Sequence, residues 1–250
     1  MIYFIVFLII SIASFVFSML GLGGGMVYVP VLNSSGFDMV SVAIPLGLLL
    51  NGLNTALVLI PFARKKMVDW KGGAVMAVSA LVAAPLGAMT SGHVPVTTLK
   101  ILFAVMVLIA AFRMIWASSQ TEPDIMMSLI KRSVIGFFVG SFAGFVGGML
   151  GIGGGFIIAP ILMMMGYKTK EAAATTAFVV TFSSLSGYLG HISQGQMNWW
   201  LTAVVIIAVI VGSQLGGMYM TQKAKSKQVK IIYAIVLLLI AVKMIYGVAV

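Results

Sequence analysis

The sequence contains no cysteine. Disulfides, thiolate nucleophiles and cysteine metal ligands are thereby excluded, and redox chemistry is disfavoured. Charge is nearly as scarce: 8% of residues are charged and 61% are hydrophobic, with a mean hydropathy of +1.16. That balance does not describe a soluble domain, and the chain reads as an all-α polytopic membrane protein. Acids are the rarest charges. Asp38, Asp69, Glu122, Asp124 and Glu171 each fall in a loop or at the end of an apolar run. With no carboxylate inside a run, the usual proton relay of a coupled transporter and the paired acids of a membrane hydrolase are both missing. An enzyme is therefore not expected, nor is a cofactor. His93 and His191 have no ligand-spaced partners and read as interface residues, so no metal site is expected. The formal net charge of +10 comes from short basic clusters between apolar runs, without the aromatic interleaving of a nucleic-acid surface. Membrane topology explains it better than nucleic acid does.

Glycine is abundant, and its placement organises the chain. The stretch Gly21-Leu22-Gly23-Gly24-Gly25-Met26 recurs 130 residues later as Gly151-Ile152-Gly153-Gly154-Gly155-Phe156, and Pro30 and Pro160 follow at equivalent places. Glycine runs break helices because a residue without a Cβ leaves the backbone unconstrained and lets other groups approach closely. Eight long apolar runs, at 2–20, 40–62, 72–91, 99–116, 134–150, 172–190, 199–220 and 229–248, are each about long enough to cross a membrane. The first lacks a basic leader and a small-residue cleavage site, and its counterpart is internal, so it is read as part of the fold. The segments at 26–35 and 156–165 could cross only about half the hydrocarbon core at 1.5 Å per residue, which predicts two half-helices and up to ten membrane segments in all.

The repeat extends beyond the glycines. Lys100-Ile101 matches Lys230-Ile231, Arg113-Met114-Ile115 matches Lys243-Met244-Ile245, and Asp69-Trp70 matches Asn198-Trp199 one residue out of step. This divides the chain into a first membrane repeat at 1–117, a polar linker at 118–130 and a second repeat at 131–250. Parallel halves would put Arg64, Lys65, Lys66 and Lys71 across the membrane from Lys223, Lys225, Lys227 and Lys230, against the positive-inside rule. Inverted halves put those clusters on one side, together with Arg113, Lys131, Arg132, Lys168 and Lys170. The expectation is thus inverted repeats in the cell membrane, with both termini outside; whether the half-helices cross or re-enter is open.

Inverted repeats with broken helices place binding sites near the midplane. Gly23, Gly24, Gly25 and Gly153, Gly154, Gly155 lead the two half-helices, whose free N–H groups and positive dipole ends would face one cavity and favour an anion. The bland alternative is that these glycines only let helices pack closely. Around the cavity the candidate side chains are uncharged. Asn51 and Asn54 align with Thr181 and Ser184, each pair three residues apart on one helix face. Thr175 and Thr176 lie one to two turns earlier on the same run. Gln214, inside another run, could bond a helix or a substrate. For any single hydroxyl, a bond to its own helix is the simpler role. The 19 methionines read as apolar packing rather than metal ligands.

These residues resemble the TauE/SafE sulfite exporter family of membrane transporters. The likeness rests on the doubled Gly-x-Gly-Gly-Gly with its proline, the Ala174-Thr175-Thr176 stretch, and the run containing His191, Gly195, Met197 and Trp199. It implies transport of sulfite, sulfonates such as sulfoacetate, or related sulfur anions, commonly as export, and it keeps His191 among the substrate-facing residues. One departure is Ile44-Pro45-Leu46 where the second half has Ala174-Thr175-Thr176, which argues against a fully symmetric site. The partners expected are a small anion and the lipid bilayer. Proton coupling could travel on the protonated substrate, an anion channel or uniporter on the same scaffold is the alternative, and an oligomer is left open.

Overall fold

The structure, a computed structural model, describes residues 2–118, 125–191 and 198–222, with the helical positions Ile231, Ile235, Leu238, Leu239 and Val242. Residues 119–124 of the polar linker, Gly195, Met197, the 223–230 loop and most of the last apolar run lie outside the described residues. Among those described are nine α-helices and no strand: α1 Ile2–Ser18, α2 Gly25–Ser34, α3 Ile44–Arg64, α4 Trp70–Ser91, α5 Val96–Ser118, α6 Leu129–Leu150, α7 Gly155–Met164, α8 Thr169–Gly190 and α9 Trp199–Gln222. A π-helical turn, Met39–Ala43, leads into α3, started by the Asp38 carboxylate accepting from the Ser41 N–H at 2.8 Å and the Val40 N–H at 3.1 Å. Among the described residues five helical segments are long and apolar enough to cross a membrane: Met39–Arg64, Trp70–Ser91, Leu129–Leu150, Thr169–Gly190 and Trp199–Gln222. The all-α membrane fold is as the composition required. α2 and α7 have 10 residues each, about half a crossing.

The second half-helix re-enters. The Met127 N–H, just before α6, donates to the carbonyl of Met165, just past α7, at 3.0 Å. The chain therefore goes in along α6, turns at Gly151 to Gly154 and comes back along α7 to the end where it began. In the first half Ser14 of α1 and Tyr28 of α2 stand side by side, 2.7 Å between hydroxyls.

Helix directions follow from which residues meet. On α3 and α8 Thr55 meets Thr181, Gly52 meets Leu185 and Leu48 meets Gly187, so these two helices, which occupy the same place in the repeat, run antiparallel. α4 runs alongside α6 in the same direction, and α9 alongside α1. In both halves, therefore, the helix after α3 or α8 pairs with the first helix of the other half. Contact on α6 is made by Gly140, Gly144 and Gly148 against Met76, Ala80 and Ala84, where a Cβ would run into the α4 backbone. In lipid, where apolar burial gives helices no reason to associate, such close backbone approach supplies the van der Waals contact that does. The outward faces carry Phe4, Ile12, Val78, Leu86, Phe138 and Leu215, all exposed, as a hydrocarbon solvent requires.

At the Arg64 end, Asp69 caps α4 through the Gly72 N–H at 2.8 Å, as Asn198 caps α9 through the Leu201 N–H at 3.1 Å. Asp69 also pairs with Arg132 of α6 and accepts from the Tyr167 hydroxyl at 2.9 Å. Burial opposes its charge, but the Gly72 N–H, Tyr167 and Arg132 together outweigh burial and hold the carboxyl below the ordinary aspartate range. The same burial pushes the Tyr167 hydroxyl up to about 12. Because the Asp69 shift is downward, its stabilisation is fully present above the unfolded value of about 3.9 and is lost as pH falls through the folded value. Asp69→Asn should therefore lower the melting temperature of the detergent-solubilised protein at neutral pH, by a loss of about 1–3 kcal/mol, and should flatten its dependence on pH below about 4. A variant melting curve with the native acid limb would contradict this account.

Candidate functional site

The two glycine breaks meet at one side chain. Gly21, Gly23, Gly151, Gly153 and Gly154 all adopt left-handed backbone, with φ between +63 and +79, a region other residues enter only with strain. A Cβ on Gly23 would fall inside the Asn51 amide, and one on Gly153 between Asn51 and the Ser184 hydroxyl. The breaks thus enclose Asn51. The Gly25 N–H, at the start of α2, donates to Asn51 Oδ1 at 2.8 Å, and Asn51 Nδ2 donates to Ser184 Oγ at 2.8 Å while lying 3.4 Å from the Ile152 carbonyl. Ser183 Oγ donates to the Gly153 carbonyl at 2.7 Å. Gly25 packs on Gly151 and Ile152, and Gly155 packs on Leu22. The Asn51 side chain lies between the two breaks, where the sequence expects an anion.

A second polar layer lies beside it. Ser18 Oγ donates to Asn54 Oδ1 at 2.6 Å, and Asn54 Nδ2 donates to the Tyr28 hydroxyl at 2.6 Å, which also meets Ser14. Thr181 donates to the Ala177 carbonyl at 2.7 Å and sits 3.0 Å from the Thr55 hydroxyl, which donates to the Asn51 carbonyl at 3.0 Å. All of these side chains are buried. Buried polar groups in an apolar interior cost several kcal/mol each unless paired, and here they pair with one another.

Asn51, Asn54, Thr181, Ser184, Gly23, Gly25, Gly153 and Gly155 therefore come together. Gly24, with φ of −109, caps α2, and a Cβ there would enter the Tyr28 ring. Gly154 lies against the Ala143 carbonyl of α6. The remaining candidates lie elsewhere. Thr175 accepts from the Asp69 N–H at 3.1 Å, at the Arg64 end of the bundle. Gln214 reaches the Leu57 carbonyl at 3.5 Å, a long contact that ties α9 to α3. His191 ends α8 and is fully buried. Thr176 is buried with its hydroxyl unpartnered among the described residues. Ser14, Ser18 and Tyr28 were missed; the available signal was polarity at i and i+4 in an apolar helix, and a tyrosine where the other copy has Ile158. Among the described residues no three acidic or histidine side chains group as a metal site. A groove of about 590 Å³ between α4 and α6, with Val78, Val82, Leu86 and Phe137 in its walls, is apolar and lined by none of the break residues.

A family model described as "Sulfite exporter TauE/SafE" matches residues 6–244. A "Probable membrane transporter protein" of Bacillus subtilis is 28% identical, over 94% of this chain and 94% of its own. Another, from Methanocaldococcus jannaschii, is 25% identical over 88% of this chain and 86% of its own. "Sulfite exporter TauE/SafE family protein 5" of Arabidopsis thaliana is 38% identical over 82 residues, 33% of this chain and 18% of its own. No solved structure gives a significant match.

Two substitutions separate the roles of backbone and side chain. Gly153→Ala places a Cβ in left-handed backbone and against Ser184, and should destabilise the protein by at least about 1–3 kcal/mol. Asn51→Ala leaves the Gly25 N–H and Ser184 without their partner and should cost about 1–3 kcal/mol. Thermal unfolding of the purified variants measures both, and native stability in either would remove that contact from the account.

Proposed function

This chain belongs to the sulfite exporter TauE/SafE family, a family of membrane transporters, and on that premise we propose that it is a secondary transporter exporting small sulfur-containing oxyanions, sulfite and sulfonates such as sulfoacetate, across the cell membrane. The observation that carries the reading is the convergence of the two glycine breaks on Asn51, where the N–H at the start of a half-helix meets an uncharged acceptor. An oxyanion is a better acceptor than an amide for such N–H groups, because it adds charge to the hydrogen bond and lies at the positive end of the helix dipole. Asn51 thus holds the place of the substrate in a closed packing. When an anion enters, the amide swings aside and Gly25, Ser184, Thr181 and the second half-helix are its donors.

Alternating access follows if one half rocks against the other about this point. Inverted halves are supported by the antiparallel course of α3 and α8. The end bearing Arg64, Lys65, Lys66, Arg132, Lys168 and Lys170 is the cytoplasmic one by the positive-inside rule, which puts the chain start outside.

Radiolabelled sulfite uptake into proteoliposomes, with and without unlabelled sulfite inside, tests the reading. A carrier should show saturable uptake accelerated at least about threefold by the internal pool and competed by sulfonates, since exchange bypasses the slow return of the empty protein. Flux that neither saturates nor responds to the internal pool would instead make the protein a channel, and absence of flux from folded protein would sink the substrate class.

A further inference from the structure

His191 is the buried ionisable side chain that the transport reading leaves without a task. It follows the last residue of α8, is fully buried, and neither ring nitrogen finds a hydrogen-bond partner among the described residues. A buried unpaired polar group costs about 1–3 kcal/mol, a burden a purely structural position would shed by carrying an apolar residue. The surroundings are unusual for a neutral ring. α4, α6 and α8 run in the same direction, so their carbonyl-bearing ends gather here: Gly190 touches Pro85 and Ala88 in the last turns of α4, and Gly148 lies in the last turn of α6. Helix C-termini favour a cation, each by about 0.3–1 kcal/mol. Burial in the closed packing opposes that charge. The two influences balance differently once water enters, because opening removes the desolvation and leaves the carbonyl ends in place.

The other titratable groups at this end include Asp38, whose carboxylate accepts from the Ser41 N–H at 2.8 Å at the start of the turn into α3, and Lys100 in the second turn of α5. Tyr188 is on α8 itself, and His93 lies just past α4, exposed, with Nδ1 3.2 Å from the Met89 carbonyl. α6 carries only Lys131 and Arg132, both at its far end, α7 carries none, and positions 192–197 include no titratable residue. His191 also lies seven residues beyond Ser184 on α8, about 10 Å toward the end opposite Arg64.

We propose that His191 is a proton-binding gate at the end of the bundle opposite Arg64: neutral in the closed form, it takes a proton from water as that end opens, and the imidazolium is then a cationic contact for an oxyanion inside the bundle. The proposal rests on the transport reading for its anion, and it assigns the pH response to one residue.

The test uses methanesulfonate, whose charge is fixed across the range, in proteoliposome exchange from about pH 8 to about pH 5.5, spanning the ordinary histidine titration. The native protein should exchange about tenfold faster at the acid end. His191→Gln should lose the acid gain, giving a profile flat with pH whatever its absolute rate, and His191→Asn should do the same if the longer amide disturbs folding. Native exchange that is flat with pH overturns the inference, as does a His191→Gln profile that follows the native one. His93→Gln is the comparison: if it removes the pH response instead, His191 is not the group. Absence of any native exchange of sulfite or sulfonate would sink the transport reading, whereas pH-independent native exchange sinks only this one.

Discussion

A polypeptide that interrupts helices in hydrocarbon has to satisfy the freed backbone groups from within itself. Here much of that duty falls on Asn51. Its amide is long enough to reach the Gly25 N–H on one side and Ser184 on the other, and it has both an acceptor and donors to offer. The left-handed glycines on either side exist to let it in, since any Cβ at Gly23 or Gly153 would occupy its volume. Antiparallel α3 and α8 are positioned by the same contact, and the remaining helices pack around that pair.

The duplication did not produce two equal halves. Thr181 stands where Asn51 stands in the first copy, yet it turns to Ala177 and Thr55 and leaves the second half-helix without an equivalent amide. α1 carries Ser14 and Ser18 where α6 carries Gly144 and Gly148, and Tyr28 replaces Ile158. The first hairpin is therefore held by side-chain hydrogen bonds, and the second is held by close backbone packing on α4. These are different ways of binding a hairpin in lipid, one specific and polar, the other steric.

The ends of the bundle are also unlike. At the Arg64 end, Asp69, Arg132 and Tyr167 tie the α3–α4 loop, α6 and the approach to α8 into one knot. The repeat equivalents of those residues, Asn198, Ile2 and Phe37, could not form an ion pair. The opposite end has a buried imidazole in place of a charge pair. A carrier that rocks between two closures would meet a different resistance at each, electrostatic on one side and desolvation on the other.

Composition, run length and the 130-residue repeat determined the membrane class, the helix positions, the half-helices and the candidate face of Asn51, Asn54, Thr181 and Ser184. These are local or periodic properties, set by hydrophobicity per residue and by rise per turn, and they survive without knowing what packs on what. Tertiary structure alone decided that α7 re-enters, that Thr175 braces Asp69 rather than the breaks, that Gln214 touches α3, and that Asn51 bridges the two breaks. Each of those depends on partners roughly 40 to 160 residues away, chosen by which side chain can reach which backbone group once the helices are packed. Sequence equivalence showed that Asn51 and Thr181 share a place in the fold; only the packed geometry could show that the longer amide bridges the two breaks and the shorter hydroxyl does not.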